Sequence, residues 1–257
     1  MLARKEGAVA HMIFNNPERH NAVSMEMWEA AEEILSDFNG DAEIRAIVLS
    51  GAGGKAFVSG ADISKFEDER ASADAVKQYS ETTARAYSML YDSPKPTIAM
   101  IRGYCIGGGL GLAACCDLRF CTEGSRFGLP AARLGLGYSL SSIKRLADVV
   151  GIPIAKDICL SARRYDADEA RAMGLVHAVV ADAELEEFVG EYARKIAANA
   201  PLTIAAMKKI FVELVKDPAD ADLQGCQDAV ERCFSSEDYA EGRRAFMEKR
   251  EPQFKGR

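Results

Sequence analysis

Two glycine-rich stretches carry the clearest chemical signal in this sequence. One is FVSGAD at residues 57–62, and the other is GYCIGGG at residues 103–109. Glycine lets a backbone approach a ligand closely and turn its N–H groups outward. If both stretches leave the carboxyl ends of parallel strands, the N–H groups of Ser59 and Gly108 are suited to bind one oxygen that gains negative charge. Each stretch taken alone is better explained as a simple tight turn, and no GK[ST] sequence follows to make a phosphate-binding loop.

Apolar segments around these stretches predict the elements that position them. Short apolar or β-branched runs predict strands at residues 8–15, 45–50, 56–58, 97–101 and 118–121. Helical spacing predicts helices after Ser24, over about residues 63–92 and over residues 110–116. Strands that alternate with helices indicate a mostly parallel sheet covered by helices, which is an α/β fold.

The second half of the sequence is predicted to be almost wholly helical after about residue 140. Asp166 and Glu169 form a capping-box pattern, Asp182 can cap a helix through about residue 198, and Ser235 or Ser236 can open the last helix. We therefore expect an α/β core over residues 1–195 and an α-helical region over residues 196–257.

Composition excludes several classes of function. The formal net charge is −7 and no long basic run is present, which argues against a nucleic-acid surface. The seven cysteines show no CxxC pair and no Cys/His cluster with zinc spacing, so free thiols in a reducing compartment are expected. The sequence also shows neither a secretory signal nor an apolar run long enough for a membrane span, which predicts a cytoplasmic protein.

Five segments in chain order carry a resemblance to a known family. They read AFVSGADI, RGYCIGGGLGLAACCDLRF, RFGLPAARLGLGY, ARAMGLVHAVV and AFMEKREPQF. With them the chain resembles the enoyl-CoA hydratase/isomerase (crotonase) superfamily over nearly its whole length. The resemblance implies a ββα-spiral core, a C-terminal α-helical trimerisation region, and homotrimers or dimers of trimers (hexamers). It also implies a lyase or isomerase that acts on acyl-CoA thioesters, as in fatty acid metabolism, with no cofactor beyond the coenzyme A moiety of the substrate.

The same resemblance implies the roles of individual residues. The N–H groups of Ser59 and Gly108 would form an oxyanion hole for the thioester carbonyl oxygen and its enolate. The implied substrate and CoA contacts are Arg19, His20, Ala22, Ala61, Asp62, Ile63, Gly107 and Ala131. Lys249 is expected to reach the adenine end of CoA, in the same or a neighbouring subunit.

The chain departs from the family pattern at the two positions where hydratases carry glutamates. The residues there are Gly111 and Ala131, and neither can move a proton. General acid–base catalysis is worth roughly 10²–10⁴-fold, so ordinary hydration is in question.

Tyr138 is the main candidate for a replacement, on a loop that the family places over the acyl group. Methylmalonyl-CoA decarboxylases resemble this chain there, but they carry a histidine in place of Ala61 and a glutamate in place of Gly111. Three hypotheses stay open: decarboxylation assisted by Tyr138, weak hydration or isomerisation, and acyl-CoA binding without catalysis.

Other polar residues are interpreted mainly as structural. Ser139 or Ser141 is expected to cap a helix, Asp62 to cap the helix that follows it, and Asp117 to end a buried helix. His177 is expected to pack in an apolar stretch, and Arg133 to lie on the surface or at a subunit contact.

Overall fold

The computed structural model describes residues 1–62, residue 65 and residues 72–257. The predicted CoA contact at Ile63, and the predicted start of a helix near residue 63, lie outside the described residues. The helix that Asp62 is expected to cap was itself predicted for these residues, so that expectation stays a prediction.

The strands form two sheets. The six-stranded sheet has the order β1-β2-β3-β5-β7-β10, and the four-stranded sheet has the order β4-β6-β8-β9. Their bounds are β1 (Leu2–Glu6), β2 (Val9–Phe14), β3 (Ala46–Gly51), β4 (Ala56–Val58), β5 (Thr97–Ile101), β6 (Tyr104–Ile106), β7 (Leu118–Thr122), β8 (Arg126–Gly128), β9 (Arg164–Tyr165) and β10 (Ala178–Val180). Neighbouring strands run parallel except at β1·β2 and β8·β9. The predicted, mostly parallel sheet is therefore confirmed.

Helices cover both sheets and make up most of the C-terminal part of the chain. Within the described residues they are α1 (Met25–Gly40), α2 (Ala73–Tyr91), α3 (Gly108–Cys115), α4 (Ala131–Leu134), α5 (Leu140–Val150), α6 (Ile152–Ser161), α7 (Ala167–Ala172), α8 (Leu185–Ala197), α9 (Pro201–Leu214), α10 (Leu223–Phe234) and α11 (Glu237–Glu248). No helix among these residues is long and apolar enough to cross a bilayer.

The core has a larger and a smaller part, one on each face of the six-stranded sheet. The larger part contains side chains of both sheets and of several helices, and it includes Trp28 of α1 and Phe57 of β4. The smaller part lies under α8, where Val189 and Ala193 meet residues of the opposite sheet face such as Val48. Because successive side chains of a strand point to opposite faces, neighbouring residues of each buried strand serve different parts of the core.

Local signals located the elements well but missed the shortest strands. Helix α1 begins directly after Ser24, and the capping box of Asp166 and Glu169 at α7 is complete. Ser139 caps α5 by accepting the N–H of Ser142 at 3.2 Å, as expected. The prediction of an almost wholly helical second half was wrong at β9 and β10, which contain two and three residues.

Asp182 does not cap a helix. Helix α8 has Glu184 at its N-cap, without a side-chain hydrogen bond. The Asp182 carboxylate instead accepts from Arg102 at 2.9 Å. A partner eighty residues away in the chain outcompetes the local cap, so the prediction was wrong.

One partly buried ion pair joins the C-terminal helices to the six-stranded sheet. The ammonium of Lys208, on α9, lies 2.5 Å from the carboxylate of Asp117, between α3 and β7. The same carboxylate oxygen accepts from the Thr97 N–H at 2.7 Å and from its hydroxyl at 2.9 Å. The structural interpretation of Asp117 agrees with these contacts.

The division of the chain near residue 195 stays a prediction.

Candidate active site

The two glycine-rich stretches meet at the ends of β4 and β6. A Cβ atom placed on Gly108 would lie 3.8 Å from the Cα of Gly60. Gly60 has a φ of +111°, a conformation that residues with side chains rarely adopt. Residues 57–62 and 103–109 therefore lie next to each other at Gly60 and Gly108.

Backbone pairing decides which N–H group of the first stretch faces the second. Val23 uses both of its polar backbone groups on the neighbours of Ala61: its N–H donates to Gly60 O at 2.9 Å, and its carbonyl accepts from Asp62 at 3.0 Å. In a parallel bridge of this kind, the polar groups of the opposite residue point away from the partner. The Ala61 N–H therefore points away from Val23, and no acceptor for it is found in the described part of the chain.

The predicted role of Ser59 needs correction. Its N–H donates to the carbonyl oxygen of His20 at 3.2 Å, so this hydrogen is already used within the protein. Its hydroxyl lies 3.4 Å from the carbonyl oxygen of Arg19. Ser59 thus holds the turn before α1 against β4, and the unused N–H of this stretch belongs to Ala61.

On the second stretch, the unused N–H belongs to Gly108. The Gly107 N–H donates to Gly128 O at 2.8 Å, and Gly107 O accepts from Gly111 at 3.1 Å. Gly108 is the first residue of α3, where an N–H group has no partner within the helix. Within the described residues no acceptor contacts it, and the positive end of the helix dipole adds to its attraction for a negative oxygen.

Only glycine fits at position 109, directly after the Gly108 donor. A Cβ atom on Gly109 would lie 2.1 Å from the carbonyl oxygen of Val58, which is far inside van der Waals contact. Close approach of α3 to β4 therefore depends on the triple glycine.

Position 111 faces a tyrosine that the sequence analysis did not single out. The hydroxyl of Tyr87, on α2, donates to Gly108 O at 2.9 Å. A Cβ atom on Gly111 would lie 3.0 Å from this hydroxyl oxygen and 3.3 Å from Cζ of the same ring. Burial raises the pKa of Tyr87 well above its usual value, which keeps the phenol neutral. Nothing within the predicted helix over residues 63–92 distinguished Tyr87 from its neighbours.

Ala131 and Tyr138 border the same region from the following segment. Ala131 is buried and begins α4 directly after Pro130. Tyr138 is half-buried, and its hydroxyl oxygen lies 4.0 Å from the position of a Cβ atom on Gly107. The structure therefore brings the predicted residues Gly107, Gly108 and Tyr138 together.

The predicted CoA contacts before α1 lie beside the first stretch. Arg19 is exposed, and its guanidinium lies 3.6 Å from the buried carboxylate of Asp62. His20 is exposed and packs edge-on against the Tyr104 ring, with centroids 5.8 Å apart. Ala22 is buried beneath the turn. An exposed polar turn that carries Arg19 and His20 therefore borders one side of the Ala61 and Gly108 amides.

Lys249 lies elsewhere on the chain. It is exposed at the C-terminal end of α11, and no hydrogen bond or ion pair of its side chain in the described structure reaches the two glycine-rich stretches. Its expected contact with CoA stays a prediction.

No group of three or more His, Cys, Asp or Glu side chains among the described residues is arranged to hold a metal ion.

Comparison with known proteins identifies the family. A profile described as enoyl-CoA hydratase/isomerase matches residues 4–257 of this chain. The chain belongs to the enoyl-CoA hydratase/isomerase family. Among its relatives, the short-chain-enoyl-CoA hydratase of Clostridium acetobutylicum is 33% identical over 258 residues, with 100% of this chain and 98% of that protein covered. The carnitinyl-CoA dehydratase of Salmonella heidelberg is 32% identical, with 98% and 97% covered.

Solved structures of the enoyl-CoA hydratase/isomerase family share the fold. An enoyl-CoA hydratase/carnithine racemase from Magnetospirillum magneticum superposes with a TM-score of 0.94 at 36% identity, covering 99% of this chain and 95% of that one. A putative family protein from Hyphomonas neptunium also reaches a TM-score of 0.94, at 35% identity over 100% of this chain and 97% of that one. The predicted crotonase-like α/β fold, followed by C-terminal helices, is therefore confirmed.

Proposed function

We propose that this protein is an acyl-CoA-transforming enzyme that binds a thioester carbonyl oxygen between the N–H groups of Ala61 and Gly108. The observation that carries the proposal is a pair of backbone donors, on two stretches in contact, for which the described chain offers no acceptor. Such donors stabilise the negative oxygen of an enolate more than the neutral carbonyl. Each is typically worth about 3 kcal/mol in the transition state.

CoA would leave this oxyanion hole on the side of the exposed turn. Arg19 and His20 are near enough to the first stretch to contact the polar part of CoA, with Ala22 and Asp62 behind them. The acyl group would then extend on the opposite side, along α3, where Tyr87 and Tyr138 lie. This orientation requires no cofactor beyond the CoA of the substrate.

The reaction that we favour makes an enolate without a glutamate at position 111 or 131. Hydration needs a group that moves protons to and from water, and Gly111 and Ala131 cannot supply one. Hydration or isomerisation would need another base, whereas loss of CO₂ forms the enolate without a base, so that only its oxygen needs to be stabilised.

Decarboxylation of a malonyl-type thioester is the specific candidate. The bond from the α-carbon to the carboxylate breaks, CO₂ leaves, and the electron pair moves into the thioester as an enolate. A proton from solvent then restores the α-carbon. The position of the Tyr138 hydroxyl beside Gly107 favours this candidate, because a hydrogen bond from it can orient the departing carboxylate.

Mass spectrometry of a mixed acyl-CoA pool incubated with the protein tests this function. A mass loss that corresponds to CO₂ from malonyl-type thioesters would support decarboxylation. Loss of crotonyl-CoA absorbance would instead support hydration. Binding without any turnover would favour the third hypothesis, an acyl-CoA-binding protein.

A matched pair of variants tests the oxyanion hole itself. Proline suits the first position of a helix but lacks an N–H group, so Gly108→Pro removes the donor. Gly108→Ala keeps it and adds a Cβ atom 3.3 Å from the Tyr87 hydroxyl, a contact that a small shift relieves. We expect turnover to fall about 10²–10³-fold in the proline variant alone. Equal activity in both folded variants would contradict the proposed role of Gly108.

We further propose that the C-terminal helices join copies of this chain into homotrimers or dimers of trimers. A groove of about 850 Å³ between α9, α10 and α11 is lined by apolar side chains that include Met207, Phe234 and Phe246. Phe246 and Met247 are 82% and 80% exposed in the single chain. Apolar patches of this kind commonly mark protein interfaces.

A further inference from the structure

Tyr87 holds a fixed position beside the proposed oxyanion hole. Its hydroxyl oxygen lies 3.3 Å from the position of a Cβ atom on Gly108 and 2.9 Å from Gly108 O. The hydroxyl hydrogen is used in the second contact. The phenol therefore presents a lone pair and a ring to the space next to the Gly108 amide.

The ring is held in place by its neighbours. Tyr87 packs edge-on against Trp28, with ring centroids 5.3 Å apart, and Trp28 is 1% exposed. The indole N–H of Trp28 donates in turn to the Tyr79 hydroxyl at 3.1 Å. Displacing the Tyr87 ring would disturb this buried group, so the ring acts as a firm wall.

Gly111 is the residue of α3 that lies next to the Tyr87 ring. Of the eight residues of α3, Gly108 and Gly111 are the ones that keep partial exposure, and the others are buried. A Cβ atom on Gly111 would lie 3.0 Å from the Tyr87 hydroxyl oxygen, so the ring fills the space beyond this glycine. An acyl group that follows the exposed glycines of α3 away from Gly108 meets the Tyr87 ring within one helical turn.

We propose that Tyr87 is a specificity-determining residue that closes the acyl subsite and restricts it to short acyl groups. The inference rests on the proposed function, because it places the thioester carbonyl at the Ala61 and Gly108 amides. Short acyl groups end before the ring, and longer chains require its displacement. No charged group is needed for this selection, since the wall is an aromatic ring.

Affinities for a ladder of saturated acyl-CoA thioesters test the assignment. Isothermal titration of acetyl-, butyryl-, hexanoyl-, octanoyl- and decanoyl-CoA uses thioesters without an acidic carboxyl or a double bond. For the wild-type protein we expect affinity to fall at least about tenfold between butyryl- and octanoyl-CoA. In Tyr87→Leu, which keeps an apolar side chain but shortens the wall, we expect octanoyl-CoA to regain most of this loss.

Tyr87→Phe is the matched control, since it keeps the ring and removes only the hydroxyl. It should keep the chain-length limit of the wild type. Thermal unfolding of each variant establishes that it is folded before its affinities are compared. A folded Tyr87→Leu variant with an unchanged limit, or a wild type that binds all five thioesters equally, would overturn the assignment. Failure of every thioester to bind would overturn the proposed function as well. That result differs from binding without a chain-length limit, which would overturn only the role of Tyr87.

Discussion

Gly111 has no side chain beyond a hydrogen atom, and the phenol ring of Tyr87 fills the space next to it. A Cβ atom there would lie 3.0 Å from the phenol oxygen. We therefore expect Gly111→Ala to lower the free energy of unfolding by about 1–2 kcal/mol, although alanine in a helix is favoured over glycine by about 1 kcal/mol.

Denaturant unfolding of the wild type, Gly111→Ala, Tyr87→Phe and the double variant measures this contact. Phenylalanine lacks the oxygen that crowds position 111, so the alanine should cost less in its presence. Strictly additive effects would show that the two positions do not interact.

A second residue-scale prediction concerns Tyr138. If its hydroxyl orients a departing carboxylate, Tyr138→Phe should lower the rate of CO₂ release from a malonyl-type thioester by about 10–100-fold, the usual effect of losing a hydrogen bond to a charged group. Affinity for butyryl-CoA, which has no such carboxylate, should stay unchanged. Equal loss with both ligands would indicate that Tyr138 only supports the shape of the pocket.

The residues of the site were predictable in part. Chain order and glycine content were enough to predict that residues 57–62 and 103–109 lie together, and the role of Gly108 stays a prediction. They were not enough to separate Ser59 from Ala61, because that choice depends on the bridge between Val23 and Ala61. Tyr87 escaped prediction because its contact with α3 is made across the fold.

At the scale of elements, the pair of Lys208 and Asp117 ties α9 to the sheet. The Lys208 side chain is 10% exposed, and its partner also holds the backbone and hydroxyl of Thr97. We expect Lys208→Met to destabilise the protein by about 1–3 kcal/mol, because the carboxylate loses its charged partner in a partly buried place.

Lys209→Met is the control for this prediction. Lys209 pairs with Asp222 at 2.7 Å, but the two side chains are 37% and 53% exposed. Surface pairs of this kind contribute little to stability, because solvent screens both charges. Thermal unfolding should therefore separate the two variants, and equal shifts in Tm would contradict the structural role assigned to Lys208.

Elements whose signals are local were predicted well, and those that depend on distant partners were not. The capping box at α7 involves residues three apart and was identified from the sequence alone. Asp182 looked like an equally good cap, yet it is drawn to Arg102. The two-residue strand β9 exists because β8 offers it an edge, which no pattern within Arg164–Tyr165 reveals.

At the scale of the whole molecule, the exposed apolar side chains of the C-terminal helices predict self-association. We expect analytical ultracentrifugation to show trimers or hexamers for the wild type and smaller species for Phe246→Asp, since burying a new carboxylate is costly. Val76→Asp, at a 45% exposed position on α2, serves as the control. A monomeric wild type at micromolar concentration would contradict the expectation.

Buried thiols give a prediction for the intact fold. Cys105, Cys115, Cys116 and Cys121 are buried, and burial raises the pKa of Cys115 and of Cys121 to about 12. The thiolate is the reactive form, so both thiols stay protonated and unreactive at pH 8. Iodoacetamide should leave these four residues unlabelled in the native protein and label them in denaturant. Peptide mapping by mass spectrometry measures both states.

The contact between Gly111 and Tyr87 also constrains how this chain can change over time. A side chain larger than alanine at position 111 meets an occupied volume, so we expect it to be tolerated better after Tyr87 has been replaced by a smaller residue. The two positions therefore have a preferred mutational order, and a library that samples single substitutions would miss combinations that a paired library recovers.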